Sequence, residues 1–265
     1  MANDSGTVAV VTGASSGIGE AIAEVLAERG HDLVVTARRR ERLEALATRL
    51  ESAHDIAVHV IERDLGEHGG ADALYGDVAA LGKRVDVLVN NAGFGVYGSS
   101  IEADHGRIAS MVELNLVALT RLTHRFGRDM LDAGGGRILQ VASITAFQPS
   151  PLYAVYAASK AYVLSMSTAI NQELAGSGVS MTTICPGLTD SEFHQAADHL
   201  KPRWMDWTQM SSRQVAEVGV RAMMKRRSVV TPGLVNKLAG WGVKWIPRSW
   251  ATAITGWIMQ GKRSA

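Results

Sequence analysis

Short apolar runs alternate along the chain with longer stretches whose apolar residues recur at helical spacing. TVAVVT at 7–12, DLVVTA at 32–37, IAVHVI at 56–61, VDVLVN at 85–90, RILQVA at 137–142 and VSMTTIC at 179–185 are rich in β-branched residues. They do not alternate strictly between apolar and polar, which is the pattern of strands covered on both faces. Between and after them lie amphipathic stretches at 17–29, 39–53, 67–82, 105–132, 152–174 and 212–225, then a last short strand at 228–230. Ser211 and Gln214 have capping-box spacing at the start of 212–225. Strand–helix repetition of this kind predicts an α/β fold: a doubly wound, Rossmann-type parallel sheet of about seven strands with helices on both faces. No repeat, low-complexity tract or linker interrupts 1–233, so it is expected to form one domain.

Composition narrows the class. The chain has 265 residues, 46% hydrophobic and 20% charged, with a formal net charge of +1, which gives no case for a nucleic-acid partner. Cys185 is the only cysteine, which excludes an intrachain disulfide and fits a reducing compartment. The N-terminal MANDSGTVAVVTG has no signal-peptide pattern, and no apolar run reaches the ~18 residues of a spanning helix, so a cytoplasmic location is expected. Charge is unevenly placed: residues 201–265 hold 12 Lys and Arg against 2 Asp and Glu, and all 6 tryptophans.

In open parallel sheets, ligands bind beyond the carboxyl ends of the strands, where the strand order reverses. The residues that follow each strand therefore carry the functional reading. After the first come Gly13, Ala14, Ser15, Ser16, Gly17, Ile18 and Gly19, opening into a helix. Glycines there allow a tight turn and close backbone approach, and the helix N-terminus offers free N–H groups to a phosphate. After the second come Arg38, Arg39 and Arg40, with no acid from Leu33 to Arg40. A guanidinium suits a 2′-phosphate where an acid would suit a ribose hydroxyl, so Arg38, nearest the strand end, points to NADP(H) over NAD(H). Arg39 and Arg40 read as a solvated helix start. Asp64 and Leu65 follow the third strand, Asn91, Ala92 and Gly93 the fourth, Ser143 the fifth, and Pro186 and Gly187 the sixth.

Tyr156 and Lys160 share a helix face at i, i+4. A free tyrosine titrates near ~10, and an adjacent ammonium favours the phenolate, so the pair suits proton transfer. Hydride transfer to a carbonyl builds alkoxide charge, which needs such a donor and a second hydrogen bond. No metal-ligand spacing recurs, and no metal is expected.

TGASSGIG at 12–19, NNAG at 90–93, Ser143, Tyr156 with Lys160, and PG at 186–187 together resemble a classical short-chain dehydrogenase/reductase, over about residues 7–230. The resemblance implies that Tyr156 is the general acid or base, that Lys160 holds the nicotinamide ribose, and that Ser143 hydrogen-bonds the substrate oxygen. It implies that Asn115 holds a water linking Lys160 to solvent. Asp64 and Leu65 are implied at the adenine, Asn91 at the adenosine half, and Ser191 at the nicotinamide carboxamide. It makes 188–210 a substrate lid, with Phe193, Trp204 and Trp207 as pocket residues, and implies a homodimer or homotetramer. Ser16 stands where many NADP-preferring members carry Lys or Arg, so the cofactor preference rests on Arg38. Tyr153 lies seven residues before Lys160 and meets the wider spacing of related enoyl reductases. The glycine loop and the position of Ser143 favour Tyr156, leaving Tyr153 to line the substrate pocket. The expected function is thus an NADP(H)-dependent oxidoreductase acting on a carbonyl or secondary alcohol. The alternatives are a silent NADP(H) sensor or scaffold, or an isomerase, dehydratase or enoyl reductase using the same face.

Residues 234–265 exceed what this fold needs. Leu234, Leu238, Trp241 and Trp245 form one helical stripe, and Trp250, Ile254, Trp257 and Ile258 start another beyond Pro247. Packing on the domain or between subunits is favoured for this extension over contact with an acidic membrane surface, because apolar stripes usually find protein.

Overall fold

The computed structural model describes residues 6–190 and 209–260. Its strands are β1 (Val8–Thr12), β2 (Asp32–Ala37), β3 (Val58–Glu62), β4 (Val85–Asn90), β5 (Gly136–Val141), β6 (Val179–Ile184), β7 (Thr189–Asp190), β8 (Met210–Ser211) and β9 (Val229–Val230). Its helices are α1 (Gly17–Ala27), α2 (Arg40–Ala53), α3 (Gly70–Ala80), α4 (His105–Val112), α5 (Leu119–Asp132), α6 (Ala154–Glu173), α7 (Ser212–Met224), α8 (Leu234–Gly242) and α9 (Arg248–Gln260). Among the described residues, seven strands form one parallel sheet in the order β3-β2-β1-β4-β5-β6-β9. β7 and β8 pair separately.

Alternate residues of each strand feed two cores, as the period of two requires. Ala9, Val11, Leu33, Val35, Val87 and Val89 pack with Ile22 and Leu26 of α1, Leu43 and Leu46 of α2, and Val220 and Met223 of α7. Val8, Val10, Val34, Leu88 and Ile138 pack on the other face with Leu74 of α3 and Leu122, Phe126 and Met130 of α5. The doubly wound fold expected from the unbroken apolar runs is the one observed. Strand register brings the carboxyl ends level: Thr12 pairs with Thr36, Asn90 with Gln140 and Val141 with Ile184. The order reverses between β1 and β4, so the switch point lies between the glycine loop and Asn91.

Element bounds shift from the expected ones, and four of the differences have a local reason. The third strand starts at Val58, because the Ile56 amide bonds His54 O in a turn (3.0 Å). The third helix starts at Gly70, after Gly69 takes a left-handed φ of 82° as its N-cap. The single helix expected over 105–132 contains a π-helical turn, Glu113–Ala118. The helix expected from 152 starts at Ala154, because Leu152 adopts φ 66° and Tyr153 becomes the N-cap. Helix α7 carries the expected capping box between Ser211 and Gln214.

Candidate active site

The strand ends frame one crevice of ≈ 380 Å³, which runs from the β2–β3 edge across the switch point to β5 and β6. Of the expected site residues, Gly13, Ser15, Ser16, Gly17, Ile18, Arg38, Asp64, Leu65, Asn91, Ala92, Gly93, Ser143, Tyr153, Tyr156, Lys160, Pro186 and Gly187 line it. Gly19 and Asn115 stand just behind its wall. Ser191, Phe193, Trp204 and Trp207 lie outside the described residues.

The glycine loop is built for close approach. Gly13 and Gly17 take φ of +67° and +61°, open to glycine at little cost. A Cβ on Gly19 would lie 2.2 Å from Gly13 O and 2.3 Å from Asn91 Nδ2. Asn91 fastens the loop: its Nδ2 donates to Thr12 O (3.0 Å) and Gly13 O (3.2 Å). The Thr12 hydroxyl accepts the Asn91 and Ala92 amides (3.0 Å each) and donates to Val89 O (3.1 Å). The side chain of Ser16, the N-cap of α1, makes no capping bond, so first-turn N–H groups open onto the crevice. This cradle of uncapped N–H donors and bare Cα positions has the chemistry of a phosphate site and fits a dinucleotide.

The arginines divide differently from the sequence reading. Arg38 is largely exposed and pairs with Asp64 at 3.7 Å. Arg39, read as part of a solvated helix start, instead crosses to the glycine loop. Its Nε and Nη2 donate to Ser15 Oγ at 3.2 and 2.9 Å, and its Nη2 to Ser16 Oγ at 2.8 Å. Position nearest the strand end does not determine which guanidinium turns inward. The signal available in the sequence was the adjacent Ser15–Ser16 pair, two hydroxyls able to accept from a guanidinium.

At the other end, the Ser143 hydroxyl hydrogen-bonds the Tyr156 phenol. Lys160 Nζ stands 5.8 Å from the Tyr156 ring centre and donates to Val141 O at 2.9 Å. Gly93 separates Lys160 from Asn115: a Cβ there would meet Asn115 Oδ1 at 2.9 Å and Lys160 Nζ at 3.4 Å. Asn115 itself sits in the π turn, fully buried. Its Nδ2 donates to Phe94 O (3.0 Å) and Ser159 Oγ (3.1 Å), and its Oδ1 accepts the Phe94 amide (3.2 Å). The wider turn presses this carboxamide against the backbone behind Gly93, a placement that uniform helical periodicity does not predict.

The titration state departs from the expected direction. Burial pushes the Tyr156 phenol up to about 12, partly offset by the Ser143 hydrogen bond. Burial also brings Lys160 down to about 8. Lys160 does not drag the phenol below its ordinary value here, because desolvation disfavours both charged forms and weakens the ammonium meant to do the pulling. A sign follows for stability. Between pH of about 8 and 10.5 the unfolded chain keeps a lysine proton that the folded chain has shed, so this group makes unfolding costlier as pH rises. The urea midpoint of nucleotide-free wild type, compared with Lys160→Met, is therefore expected to improve across that interval.

Tyr153 is buried beside the pair, its ring 5.7 Å from Tyr156 and 5.2 Å from Tyr97. Burial, then the neighbouring Tyr156 and Tyr97, push its phenol well above the usual range. With Phe94, Val96, Tyr97 and Met111 it forms an apolar cluster against Tyr156. Phe94 also lines the crevice and was not singled out from the sequence; only its place directly after NNAG marked it.

Comparison with known proteins places these features in a family. The short chain dehydrogenase family model matches residues 7–201. A sulfoacetaldehyde reductase of Chromohalobacter salexigens is 38% identical over 69% of this chain and 72% of its own. A short-chain dehydrogenase from Sphingobium yanoikuyae, solved in complex with NADPH, superposes with a TM-score of 0.82 at 30% identity, covering 90% of this chain and 92% of its own. A short-chain dehydrogenase/reductase from Burkholderia phymatum, solved with NAD, gives 0.79 at 25% identity, covering 92% and 94%.

Proposed function

The chain belongs to the short-chain dehydrogenase family, and from that premise we propose that it is an NADP(H)-dependent oxidoreductase acting on an apolar carbonyl or secondary alcohol, with Tyr156 as general acid and base. A nicotinamide cofactor is supported by the NADPH and NAD bound in its structural relatives. The observation that carries the reading is the Ser143–Tyr156 hydrogen bond, with Lys160 alongside, in the same crevice as the glycine cradle.

When bound, dihydronicotinamide supplies the hydride. Ser143 donates a hydrogen bond to the carbonyl oxygen and stabilises the charge that develops there. A phenol held neutral up to about 12 keeps its proton until alkoxide charge builds, then releases it to that oxygen. Lys160 would hold the nicotinamide ribose, and its pKa of about 8 puts its own proton within reach of neutral pH. Asn115 positions Lys160 through the Gly93–Phe94 backbone. In the reverse direction the Tyr156 phenolate, the form that reduction leaves behind, takes the alcohol proton.

The cofactor preference rests on Arg38 and Arg39 flanking the crevice beyond β2. The apolar substrate class rests on the Phe94–Tyr153 cluster beside Tyr156. Outward faces of α4, α5 and α6, where Tyr162 stands exposed, are read as the surface of a homodimer or homotetramer. Arg39→Ala is expected to weaken NADPH by about ten- to a hundredfold, as loss of charge-assisted bonds does, and to change NADH little. The ratio of kcat/KM for the two cofactors over a ketone and aldehyde panel measures this. Equal losses for both cofactors would assign Arg39 to loop support alone. Failure of every carbonyl to oxidise NADPH would sink the oxidoreductase reading.

A further inference from the structure

Most large apolar side chains described in the C-terminal helices do not pack on the domain. Small residues do that work. A Cβ on Gly240 of α8 would lie 2.9 Å from the Phe147 ring, and one on Gly256 of α9 would lie 3.3 Å from Pro151. Thr255 Oγ1 donates to Pro149 O at 2.8 Å, and buried Asn236 faces Gly187, where a Cβ would come within 2.4 Å of its Nδ2. The tryptophans point the other way: Trp241, Trp245, Trp250 and Trp257 are 60%, 74%, 67% and 78% exposed, with Leu234, Leu238 and Ile254 beside them. Trp241 and Trp245 lean on each other at 5.7 Å.

We propose that this face of α8 and α9 rests on an anionic lipid surface. Residues 234–265 contain five Lys and Arg and no Asp or Glu, so the segment that carries the apolar stripe is charged positively only. Exposed tryptophan and leucine flanked by cations is the composition that settles at the headgroup boundary and is drawn to acidic headgroups. A second copy of the chain fits less well. A twofold contact sets each patch against itself, and residues 234–265 offer no Asp or Glu to pair with Lys237 or Arg248 of the other copy. Among the described residues no helix is long and apolar enough to cross a membrane, so the contact is one of lying on the surface. The helices pack on Gly187 and on the 147–151 segment between Ser143 and Tyr153, which places the lipid-facing side at the substrate end of the crevice. On the oxidoreductase reading above, and only for this consequence, the carbonyl substrate is one that partitions into lipid.

Flotation decides the matter without any measurement of turnover, so its failure is distinct from failure of the oxidoreductase reading. The full-length protein is floated with vesicles of equal phosphatidylcholine and phosphatidylglycerol, and with phosphatidylcholine alone. It is expected to rise with the anionic vesicles, with tryptophan emission shifted to shorter wavelength. A Trp245→Ser/Trp257→Ser variant and a Lys237→Glu/Arg248→Glu variant are each expected to rise about tenfold less at unchanged melting temperature. Wild type left at the bottom, or both variants floating like wild type, would overturn the proposal. So would a vesicle-free wild-type mass that the tryptophan variant halves, since a second copy would then cover the stripe.

Discussion

Tyr156→Phe is expected to cut carbonyl reduction by about 10²–10⁴-fold while leaving NADPH binding within a factor of about two, the first range being what a positioned proton donor contributes. The substitution removes one oxygen and keeps the ring. Tyr156 is buried, and its ring packs on Tyr153 and within the Phe94–Met111 cluster, so those apolar contacts survive. What is lost is the only acid that Ser143 holds by a hydrogen bond among the described residues of that end of the crevice. Tyr153 does not replace it. It sits at the N-cap, off the turn that carries Tyr156 and Lys160, with its own phenol pushed up by burial. Single-turnover oxidation of NADPH separates the chemical step from binding, and fluorescence of bound NADPH reports binding alone. A variant with wild-type turnover would return the proton to Tyr153 or to solvent.

Gly19→Ala is expected to cost about 1–3 kcal/mol of stability, the usual penalty of overpacking, and to remove most NADPH affinity. A new Cβ would lie 2.2 Å from Gly13 O and 2.3 Å from Asn91 Nδ2. No rotamer relieves it, because a Cβ has none. Neither neighbour can retreat cheaply, since Asn91 is tied to Thr12 O and Gly13 O, and through its amide to the Thr12 hydroxyl. Movement of Gly13 would disturb the turn that leaves the first N–H groups of α1 facing the crevice. Gly76→Ala is the control. Gly76 lies exposed in α3 with nothing within 4 Å of a Cβ, so alanine there should gain up to ~1 kcal/mol. Urea midpoints of the two variants should thus shift in opposite directions, and equal shifts would refute a steric lock at Gly19.

The sheet was legible because both faces of its central strands are largely buried, which leaves unbroken β-branched runs such as VAVVT and VDVLVN. The row of strand-end residues followed from topology, since parallel register brings those ends level. Local periodicity could not show three things. The π turn at Glu113–Ala118 goes with the bonds Asn115 makes to the Phe94 backbone, twenty-one residues away in sequence. The inward turn of Arg39 depends on hydroxyls from another strand's loop. The sign of the tyrosine shift depends on burial, which a spacing of four residues does not report. The tail was harder still. Its helical stripes were readable, but which side of each helix meets the domain was decided by Gly240, Thr255 and Gly256, residues too small to register in an apolar pattern.

Hydride transfer to a carbonyl is tested most directly with dideuterated [4,4-²H₂]NADPH and an apolar ketone, followed by mass spectrometry of the alcohol. One deuterium on the carbinol carbon is expected from wild type, and almost none in the same time from Tyr156→Phe. An unlabelled product, or one formed without consumption of NADPH, would contradict hydride transfer and assign the Ser143–Tyr156–Lys160 group to isomerisation or dehydration.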